Sequence, residues 1–477
     1  MCNQWCWADA TFHRLPSLAI HDKAAQAMHV GRCRHLNRSR KGPCSPKRGR
    51  NASKKTHARS VGIQGNEEER MAFAESAFCR WLVEKGVAWK DQRDGWDVPS
   101  VYISAFRSEK KQGIRGLAAG TKFLAGDVIL AVPETCCFPP NERLQANDLP
   151  GDVHWGCRFA LALLQEIGQG KDGRFWNYLQ SLPEVMHVPT DFSWDILQQI
   201  EYLPVYEEIL TYQHLVSQGY EQLQGAMPAE TSVEQWRWAN AVCHSRTFKL
   251  GTRRAMLPLA DLINHSFNLQ NVDWRLGIQG QVEIVALRNI AKHEQLYFSY
   301  GEKGSDHYFV FYGFVPDRNG FEDVVLFECI EDAVAWYLDN FAAGLTSEEQ
   351  RVAWDNGIEG ARGSAAYVPQ TESAARLLAT VSGEVDTRML GAFQSLHMST
   401  QGPDALECLY ARCQELLHFF STTLDADMRT LSEEALGAQM RLVLQYRASK
   451  KHLLVGLLEL VQEELDGNFG FPESPSP

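Results

Sequence analysis

Two short segments of this sequence place polar side chains where packing alone would favour apolar ones. The apolar run Leu257-Pro-Leu-Ala-Asp-Leu-Ile ends in Asn264-His265-Ser266. A second segment, Phe298-Ser-Tyr300-Gly301, follows after a stretch long enough to form about two strands. A buried polar group without a partner costs about 1–3 kcal/mol, so this Asn-His pair needs hydrogen-bonding partners. Two interpretations are open. The run is a helix end capped by Asn264, with His265 at the negative end of the helix dipole, or Asn264, His265 and Tyr300 form a reactive site.

Further motifs surround these segments in a definite order. They are Gly113-Ile-Arg115-Gly116-Leu117, Phe175-Trp176-Asn-Tyr178-Leu179-Gln-Ser-Leu182-Pro183, Ser245-Arg246-Thr247-Phe248 and, after Tyr300-Gly301, Tyr312-Gly313-Phe314. In this order the segments resemble those of the SET-domain methyltransferases, in particular the branch of Rubisco large-subunit lysine methyltransferase. The resemblance covers about residues 100–320 by motif and about 330–465 by helical pattern.

The resemblance implies S-adenosylmethionine as the cofactor and a catalytic role for Tyr300, whose hydroxyl would face the transferred methyl group. Arg246 would pair with the carboxylate of the cofactor, and Tyr312 and Phe314 would contact its adenine. The cofactor-binding residues implied in this way are Gly113, Arg115, Gly116, Leu117, Arg246, Asn264, His265, Tyr312 and Phe314.

The resemblance implies that other residues bind the substrate. A lysine amine, with a pKa near 10.4, must lose its proton before it can attack a methyl group, and an apolar channel favours that loss. Phe248 and Ala260 would line the channel, with Asp261 and Trp274 as further candidates. An aromatic residue with a small apolar neighbour suits an aliphatic amine, whereas a histidine substrate would require a polar partner. Asp261 and His265 lie four residues apart, but no third ligand accompanies them, so no metal is expected.

The sequence departs from the family pattern at two turns. After Tyr300-Gly301 many relatives carry Lys-Ser-Asn-x-Glu, whereas this chain has Lys303-Gly304-Ser305-Asp306-His307, and His293 stands where a turn glycine is common. These changes leave open an inactive, peptide-binding SET module.

Composition is typical of a folded protein with several domains. The chain has 477 residues, of which 44% are hydrophobic, and no apolar run approaches the roughly 20 residues that span a bilayer. Its 12 cysteines lack the paired spacings of zinc sites and favour reduced, buried thiols in an intracellular protein.

Residues 1–60 differ from the rest in charge. They carry thirteen Lys and Arg and only two acidic residues, a net charge of +11, so the total of −12 leaves −23 for residues 61–477. Three interpretations are open: an organelle transit peptide, a nuclear-localising or nucleic-acid-binding arm, or a disordered tail. A transit peptide would direct the protein to a chloroplast or mitochondrion, and otherwise we expect the cytoplasm or nucleus.

The pattern of apolar residues predicts an α+β fold. We expect a helix over 67–85, a strand over 101–106, a hairpin formed by 117–119 and 128–132, helices within an insertion at about 150–245, and strands over 282–287, 295–300 and 323–327. A loop over 357–370 and helices over 405–424 and 442–464 follow. Together with the resemblance, this pattern implies a disordered segment (1–65), a SET domain (66–320), an all-α substrate-binding domain (321–465) and a disordered tail (466–477).

The function expected from the resemblance is methylation of lysine in a protein substrate by S-adenosylmethionine. The alternatives are histidine methylation on the same scaffold and a catalytically silent peptide-binding module. The acidic body argues against nucleic acid as a partner. We expect a monomer that does not associate with membranes.

Overall fold

The computed structural model describes residues 65–89, 99–107, 113–139, 153–364, 375–433 and 435–466. The predictions for residues 1–60, for 365–370 and for the C-terminal tail from residue 467 lie outside these ranges. From residue 63 onward the chain forms one compact unit. Its fold is α+β, as the sequence predicts.

The N-terminal part supplies two helices and the first four strands. The helices are α1 (Glu67–Ala74) and α2 (Ala77–Glu84), and the strands are β1 (Ala88–Trp89), β2 (Val101–Arg107), β3 (Gly113–Ala119) and β4 (Val128–Val132). The prediction of one helix over 67–85 is wrong because Ser76 caps a new helix, its side chain accepting from the amide of Cys79 over 3.0 Å.

The hairpin predicted between 117–119 and 128–132 is also wrong. β3 pairs with β2, from Val101 opposite Ala119 to Arg107 opposite Gly113, whereas β4 lies between β1 and β9 (Val282–Ala286). The turn itself is real, since Leu124 donates to the Asp127 carboxylate over 2.7 Å. It directs the chain into a second sheet rather than back along the first.

A helical insertion follows β4. It comprises α3 (Trp155–Gly168), α4 (Trp176–Leu179), α5 (Trp194–Leu197), α6 (Leu203–Leu223) and α7 (Val233–Arg246). The chain then returns to strands: β5 (Thr247–Leu250), β6 (Arg253–Met256), β7 (Asn264–His265), β8 (Val272–Leu276), β9 and β10 (Tyr297–Phe298). The main sheet has the order β1-β4-β9-β8, with smaller pairs β2-β3, β5-β6 and β7-β10.

The C-terminal part is helical apart from one strand pair. Its elements are α8 (Ser305–Tyr312), β11 (Asp323–Phe327), α9 (Ile330–Phe341), α10 (Ser347–Gly363), β12 (Leu377–Thr380), α11 (Thr387–Thr400), α12 (Ala405–His418), α13 (Leu424–Leu431) and α14 (Ala438–Leu465). One buried cluster runs through this part, including Phe309 of α8, and also takes in Phe192 and Ile209 of the insertion. The helical insertion and the C-terminal helices therefore share one core.

Two predictions in the C-terminal part need correction. Residues 357–363 are helical rather than looped, because the glycines of α10 allow close packing: a Cβ at Gly360 would lie 2.5 Å from the carbonyl oxygen of Gly391 on α11. The helix predicted over 405–424 ends at His418, and Thr423 caps the next helix by accepting from Ala426 over 3.2 Å. No helix among the described residues is both long and apolar enough to span a membrane.

Candidate active site

The site is built where β7 lies parallel to β10. Asn264 is opposite Tyr297 and His265 opposite Phe298, and the amide of Ser266 donates to Phe298 O over 3.0 Å. The helix-end interpretation of this segment is wrong: a single 3₁₀ turn, Ala260–Leu262, precedes the strand. The Asn-His segment and the Tyr300 segment are thereby held side by side.

Tyr300 is fixed at both its backbone and its hydroxyl. Its amide donates to His265 Nδ1 over 3.1 Å, and its hydroxyl donates to the carbonyl oxygen of Ile263 over 2.7 Å. Burial raises the pKa of this phenol above its ordinary value, so it stays protonated at working pH. Because the hydroxyl uses its hydrogen on Ile263, its lone pairs remain available to accept a hydrogen bond.

His265 is neutral, and its hydrogen-bonding pattern defines its tautomer. Burial lowers its pKa to about 4, and Nδ1 accepts from Tyr300, so the ring hydrogen lies on Nε2. This buried donor has no hydrogen-bond partner among the described residues. The ring lies 4.9 Å from that of Tyr308 and 5.9 Å from that of Phe314, between ring centres. An unsatisfied donor in an aromatic setting fits a polar group of a bound ligand.

Asn264 links the site to β3. Its side-chain amide donates to the carbonyl oxygen of Arg115 over 3.1 Å. A Cβ at Gly116 would come within 2.5 Å of that same amide nitrogen, so the glycine makes room for Asn264. Leu117 is fully buried and accepts from the amide of Leu296 over 2.8 Å.

Gly113 differs from Gly116. It is exposed at the start of β3, and a Cβ there would meet no atom of the chain within 4 Å. The structure therefore ties Gly116, but not Gly113, to the Asn264 contact.

Arg246 is held by Asp261. Its Nη1 donates to the carbonyl oxygen of Asp261 over 2.9 Å and to the carboxylate over 3.2 Å, and the hydroxyl of Tyr178 donates to the same carboxylate over 2.8 Å. The Asp261 side chain is 0% exposed, and burial raises its pKa against the opposing effect of Arg246. Asp261, expected on the substrate side, is thus engaged in orienting Arg246.

A further donor of Arg246, its Nε, is oriented by this contact. Its Nε is buried and has no hydrogen-bond partner in the part of the chain that the structure describes. A guanidinium with a spare N–H suits a ligand carboxylate.

Phe248 and Ala260 are both buried, at 7% and 0% exposure. Phe248 lies on β5 and its ring is 5.9 Å from that of Phe298, edge to face, which places carbon rather than polar atoms beside β10. Trp274 lies on β8 of the main sheet, opposite Ile284. The structure therefore brings Phe248 to the site through Phe298 and places Trp274 in the sheet.

Tyr312, Gly313 and Phe314 form a segment that we call the cofactor lip. The Tyr312 ring lies 5.3 Å from that of Tyr300, and the Phe314 ring lies 6.4 Å from it. Gly313 ends α8 with φ of 71°, and a Cβ there would collide with the carbonyl oxygen of His187. Glycine at this position is required both by the left-handed backbone and by the close approach.

The two turns that depart from the family pattern are braced by other residues. Asn319 donates to the carbonyl oxygen of Lys303 over 2.9 Å, and Glu322 accepts from the amide of Ser305 over 3.4 Å. At the second turn His293 has φ of 69°, and its Nδ1 lies 2.6 Å from the hydroxyl of Tyr102. The turn geometry is therefore kept by contacts from distant segments.

Three residues at the site had no predicted role. Tyr178 holds Asp261, Tyr308 stacks on His265, and the Nζ of Lys303 lies 3.2 Å from His307 Nε2 and 5.9 Å from the centre of the Tyr312 ring. Burial lowers the pKa of Lys303 to about 7. Tyr178 lies within one of the motifs quoted above, and the i, i+4 spacing of Lys303 and His307 is visible in the sequence. No group of three metal-binding side chains occurs within the described ranges.

The sequence matches two protein families. It matches the SET domain family over residues 114–301 and the Rubisco LSMT substrate-binding family over residues 369–454. The chain thus contains a SET domain followed by a region of the Rubisco LSMT substrate-binding family. The SET match contains β7, β10 and Tyr300, and the second match contains most of α14.

Individual relatives of this SET-domain protein are distant. "SET domain-containing protein 4" of Artemia parthenogenetica is 22% identical over 44% of this chain and 57% of its own length. "Ribosomal lysine N-methyltransferase set10" of Schizosaccharomyces pombe is 26% identical over 36% of this chain and 32% of its length. "Actin-histidine N-methyltransferase" of Papio anubis is 22% identical over 62% and 54%. The chain thus spans less than two thirds of these relatives.

Solved structures agree in fold. The SET domain of LSMT bound to lysine and AdoHcy superposes with a TM-score of 0.62 at 17% identity, covering 84% of this chain and 97% of that one. Rubisco LSMT bound to AdoMet gives a TM-score of 0.61 at 17% identity, covering 82% and 92%. This likeness establishes the fold of the SET core together with the helices that follow it.

Proposed function

We propose that this protein is a protein-lysine N-methyltransferase that uses S-adenosylmethionine. The observation that carries the proposal is the position of Tyr300, whose hydroxyl is fixed on Ile263 beside the Asn264-His265 pair. Relatives that methylate lysine or histidine in proteins, and the LSMT fold, support the same reaction class.

The residues present fit the cofactor. Nε of Arg246 and Nε2 of His265 are buried donors without partners among the described residues, and they suit the carboxylate and a polar group of S-adenosylmethionine. Tyr312 and Phe314 offer aromatic surface for adenine. When bound, the cofactor supplies an electrophilic methyl group.

The chain's own contribution is to orient a neutral amine. The lone pairs of the Tyr300 hydroxyl can accept an N–H of the substrate amine, which turns the nitrogen lone pair away from the phenol. Apolar side chains such as Phe248 and Phe298 desolvate the ammonium and favour loss of its proton to solvent. Positioning of this kind supplies much of the rate enhancement in a displacement reaction.

Lysine is preferred over histidine because of Phe248 and Ala260. Both are buried, and their side chains end in carbon, which suits the aliphatic chain of lysine but offers an imidazole nitrogen no hydrogen bond. Histidine methylation is the second candidate, since a histidine methyltransferase is among the relatives. A silent peptide-binding module is the third, and the intact bracing of the Lys303 turn by Asn319 and Glu322 argues against it.

Two measurements test the proposal. Calorimetric titration of S-adenosylmethionine into the full-length protein should show micromolar binding that is lost in Asn264→Ala, while Asn289→Ala, at an asparagine that accepts from Ala125, binds as the wild type does. Incubation with radiolabelled cofactor and protein extracts, followed by acid hydrolysis, should then yield labelled methyllysine.

The outcomes separate the candidates. Labelled methylhistidine would establish the second function. Cofactor binding with no transfer to any extract would favour the silent module. Absence of binding by the folded wild type would reject the methyltransferase.

We also propose that residues 1–60 are a transit peptide, supported by their net charge of +11 and scarcity of acidic residues. A fluorescent protein fused after residue 65 should enter a chloroplast or mitochondrion. Nuclear accumulation would favour a nuclear-localising arm instead. A diffuse cytoplasmic signal would favour a disordered tail without a targeting role.

A further inference from the structure

Lys450 is buried in the C-terminal part of the chain, yet its amine reaches residues that follow the active-site tyrosine. It lies on α14 with a side chain 0% exposed, and its Nζ is 2.5 Å from the Asp306 carboxylate and 2.7 Å from that of Glu322. The same Nζ donates to the carbonyl oxygen of Asp323 over 2.7 Å. Burial opposes the charge, but Asp306 and Glu322 raise the pKa of Lys450 well above its ordinary value.

These acidic partners flank the cofactor lip. Asp306 lies in the first turn of α8, which ends at Tyr312, and Glu322 lies directly before β11. The segment between them contains the whole lip, from Tyr312 to Phe314. A single ammonium group therefore joins the two ends of the segment that carries the lip.

Other contacts fasten the same segment to α14. The hydroxyl of Tyr446, one turn before Lys450, donates to Asp306 over 2.8 Å. The ring of Tyr446 stacks on that of Phe309 with a centre-to-centre distance of 4.2 Å and an angle of 17°. Phe309 lies on α8 between Asp306 and Tyr312, so α8 is held on α14 by both charge and packing.

We propose that Lys450 is a positioning residue for cofactor binding: it neutralises the carboxylates at both ends of the segment and so holds the cofactor lip against Tyr300 and His265. The inference rests on the proposed use of S-adenosylmethionine. It gives α14, most of which lies in the region matching the substrate-binding family, a second role in the cofactor site.

The adjacent lysine provides a matched control. Lys451 is also buried, at 1% exposure of its side chain, and its Nζ is 2.6 Å from the Asp427 carboxylate and 2.8 Å from the carbonyl oxygen of Thr422. Its partners lie on α13 and the turn before it. Substitution of either lysine by methionine thus removes a buried charge from α14, but only one substitution removes the contacts to the lip segment.

The first readout does not depend on the cofactor. Hydrogen exchange of backbone amides over residues 305–323 should be at least tenfold faster in Lys450→Met than in wild type, and within twofold of wild type in Lys451→Met. Equal protection of this segment in the two variants would overturn the positioning role.

The second readout is the dissociation constant of S-adenosylmethionine, measured by calorimetry on the full-length proteins at a temperature where all are folded. Lys450→Met should weaken binding tenfold or more, whereas Lys451→Met should stay within twofold of wild type. If the wild type binds and both variants bind equally well, the inference is wrong while the proposed function stands. If the wild type does not bind S-adenosylmethionine, the proposed function is wrong. Hydrogen exchange of the backbone amides then decides by itself whether Lys450 holds the cofactor lip in place.

A milder variant covers the case in which Lys450→Met does not fold. Tyr446→Phe removes only the hydroxyl that donates to Asp306 and should weaken cofactor binding about threefold. Tyr220→Phe removes a hydroxyl that donates to the carbonyl oxygen of Thr231 over 3.0 Å and should leave binding unchanged. Identical dissociation constants for these two variants would count against the inference.

Discussion

The substitution Tyr300→Phe removes one hydroxyl and leaves the aromatic ring of the active site in place. The hydroxyl donates to the carbonyl oxygen of Ile263 over 2.7 Å and belongs to a half-buried side chain. The ring contacts with His265 and Tyr312, at 5.2 and 5.3 Å between centres, do not involve the hydroxyl. The substitution therefore tests the hydrogen-bonding role alone.

The expected effects of Tyr300→Phe on stability and turnover follow from the two hydrogen bonds that the substitution removes. The bond to Ile263 contributes about 0.5–1.5 kcal/mol, and leaving the carbonyl unpaired adds to the cost, so the free energy of unfolding should fall by about 1–2 kcal/mol. The amine gains positive charge in the transition state, and a hydrogen bond to a charged group is worth about 1.5–3 kcal/mol. At 1.36 kcal/mol for each factor of ten, turnover should fall by about 10- to 150-fold, with cofactor affinity little changed.

Single-turnover methyl transfer, cofactor titration and urea denaturation measure these three quantities. Tyr220→Phe is the control, because it removes a tyrosine hydroxyl that also donates to a backbone carbonyl but lies outside the site. It should lose stability without losing turnover. A rate for Tyr300→Phe within twofold of wild type would remove the hydroxyl from the mechanism, and an equal loss of rate in the control would assign the effect to stability.

Three further substitutions test the site. Gly116→Ala places a Cβ 2.5 Å from the side-chain nitrogen of Asn264 and should weaken cofactor binding about tenfold, the cost of roughly one hydrogen bond; calorimetry showing unchanged affinity would contradict this. Asp261→Asn removes the charge that holds Arg246 and should weaken cofactor binding in the same titration, with a loss of about 1.5–3 kcal/mol in urea denaturation; wild-type values for both would exclude the orienting role. Lys303→Met should raise the free energy of unfolding by about 5 kcal/mol below pH 7, at 1.36 kcal/mol per pKa unit. Burial lowers the pKa of Lys303 from 10.5 to about 7, so the unfolded chain binds the extra proton between these values and wild type gains stability as pH rises. The advantage of the variant should therefore shrink from pH 7 to 10.5, and a constant difference would refute the burial argument.

The sequence predicts those features of the fold that depend on neighbouring residues, such as strand bounds, better than those that depend on distant segments, such as strand pairing. β4 and β11 have the bounds predicted from their short apolar runs, because such a run is a local feature of the sequence. The pairing of β3 with β2 rather than β4 is not local: each strand shows the same alternation whichever neighbour it has. The turn at Leu124 to Asp127 is encoded in the sequence, but the sheet into which it leads is not.

In the active site, too, some features can be seen in the local sequence and others depend on distant segments. Asn264, His265 and Tyr300 stand out because their residue types conflict with an apolar environment, and the motif order points to their role. The contact of Asp261 with Tyr178 is not visible in the sequence, since the hydroxyl that donates to its carboxylate lies 83 residues away. Lys450 and Lys451 look like a solvated pair on a helix, and their burial depends on acidic partners supplied by other elements.

The order in which the ribosome makes the chain gives the Lys450 contacts a further consequence. Lys450 is added 127 residues after Asp323, when the SET segments with Asn264, His265 and Tyr300 have already been synthesised. Domains tend to fold as they emerge, but in a nascent chain that still lacks α14, Asp306 and Glu322 have no ammonium group from Lys450, and Phe309 has no Tyr446 to stack on. The positioning role proposed for Lys450 therefore predicts that the cofactor site is completed only after this last helix has docked.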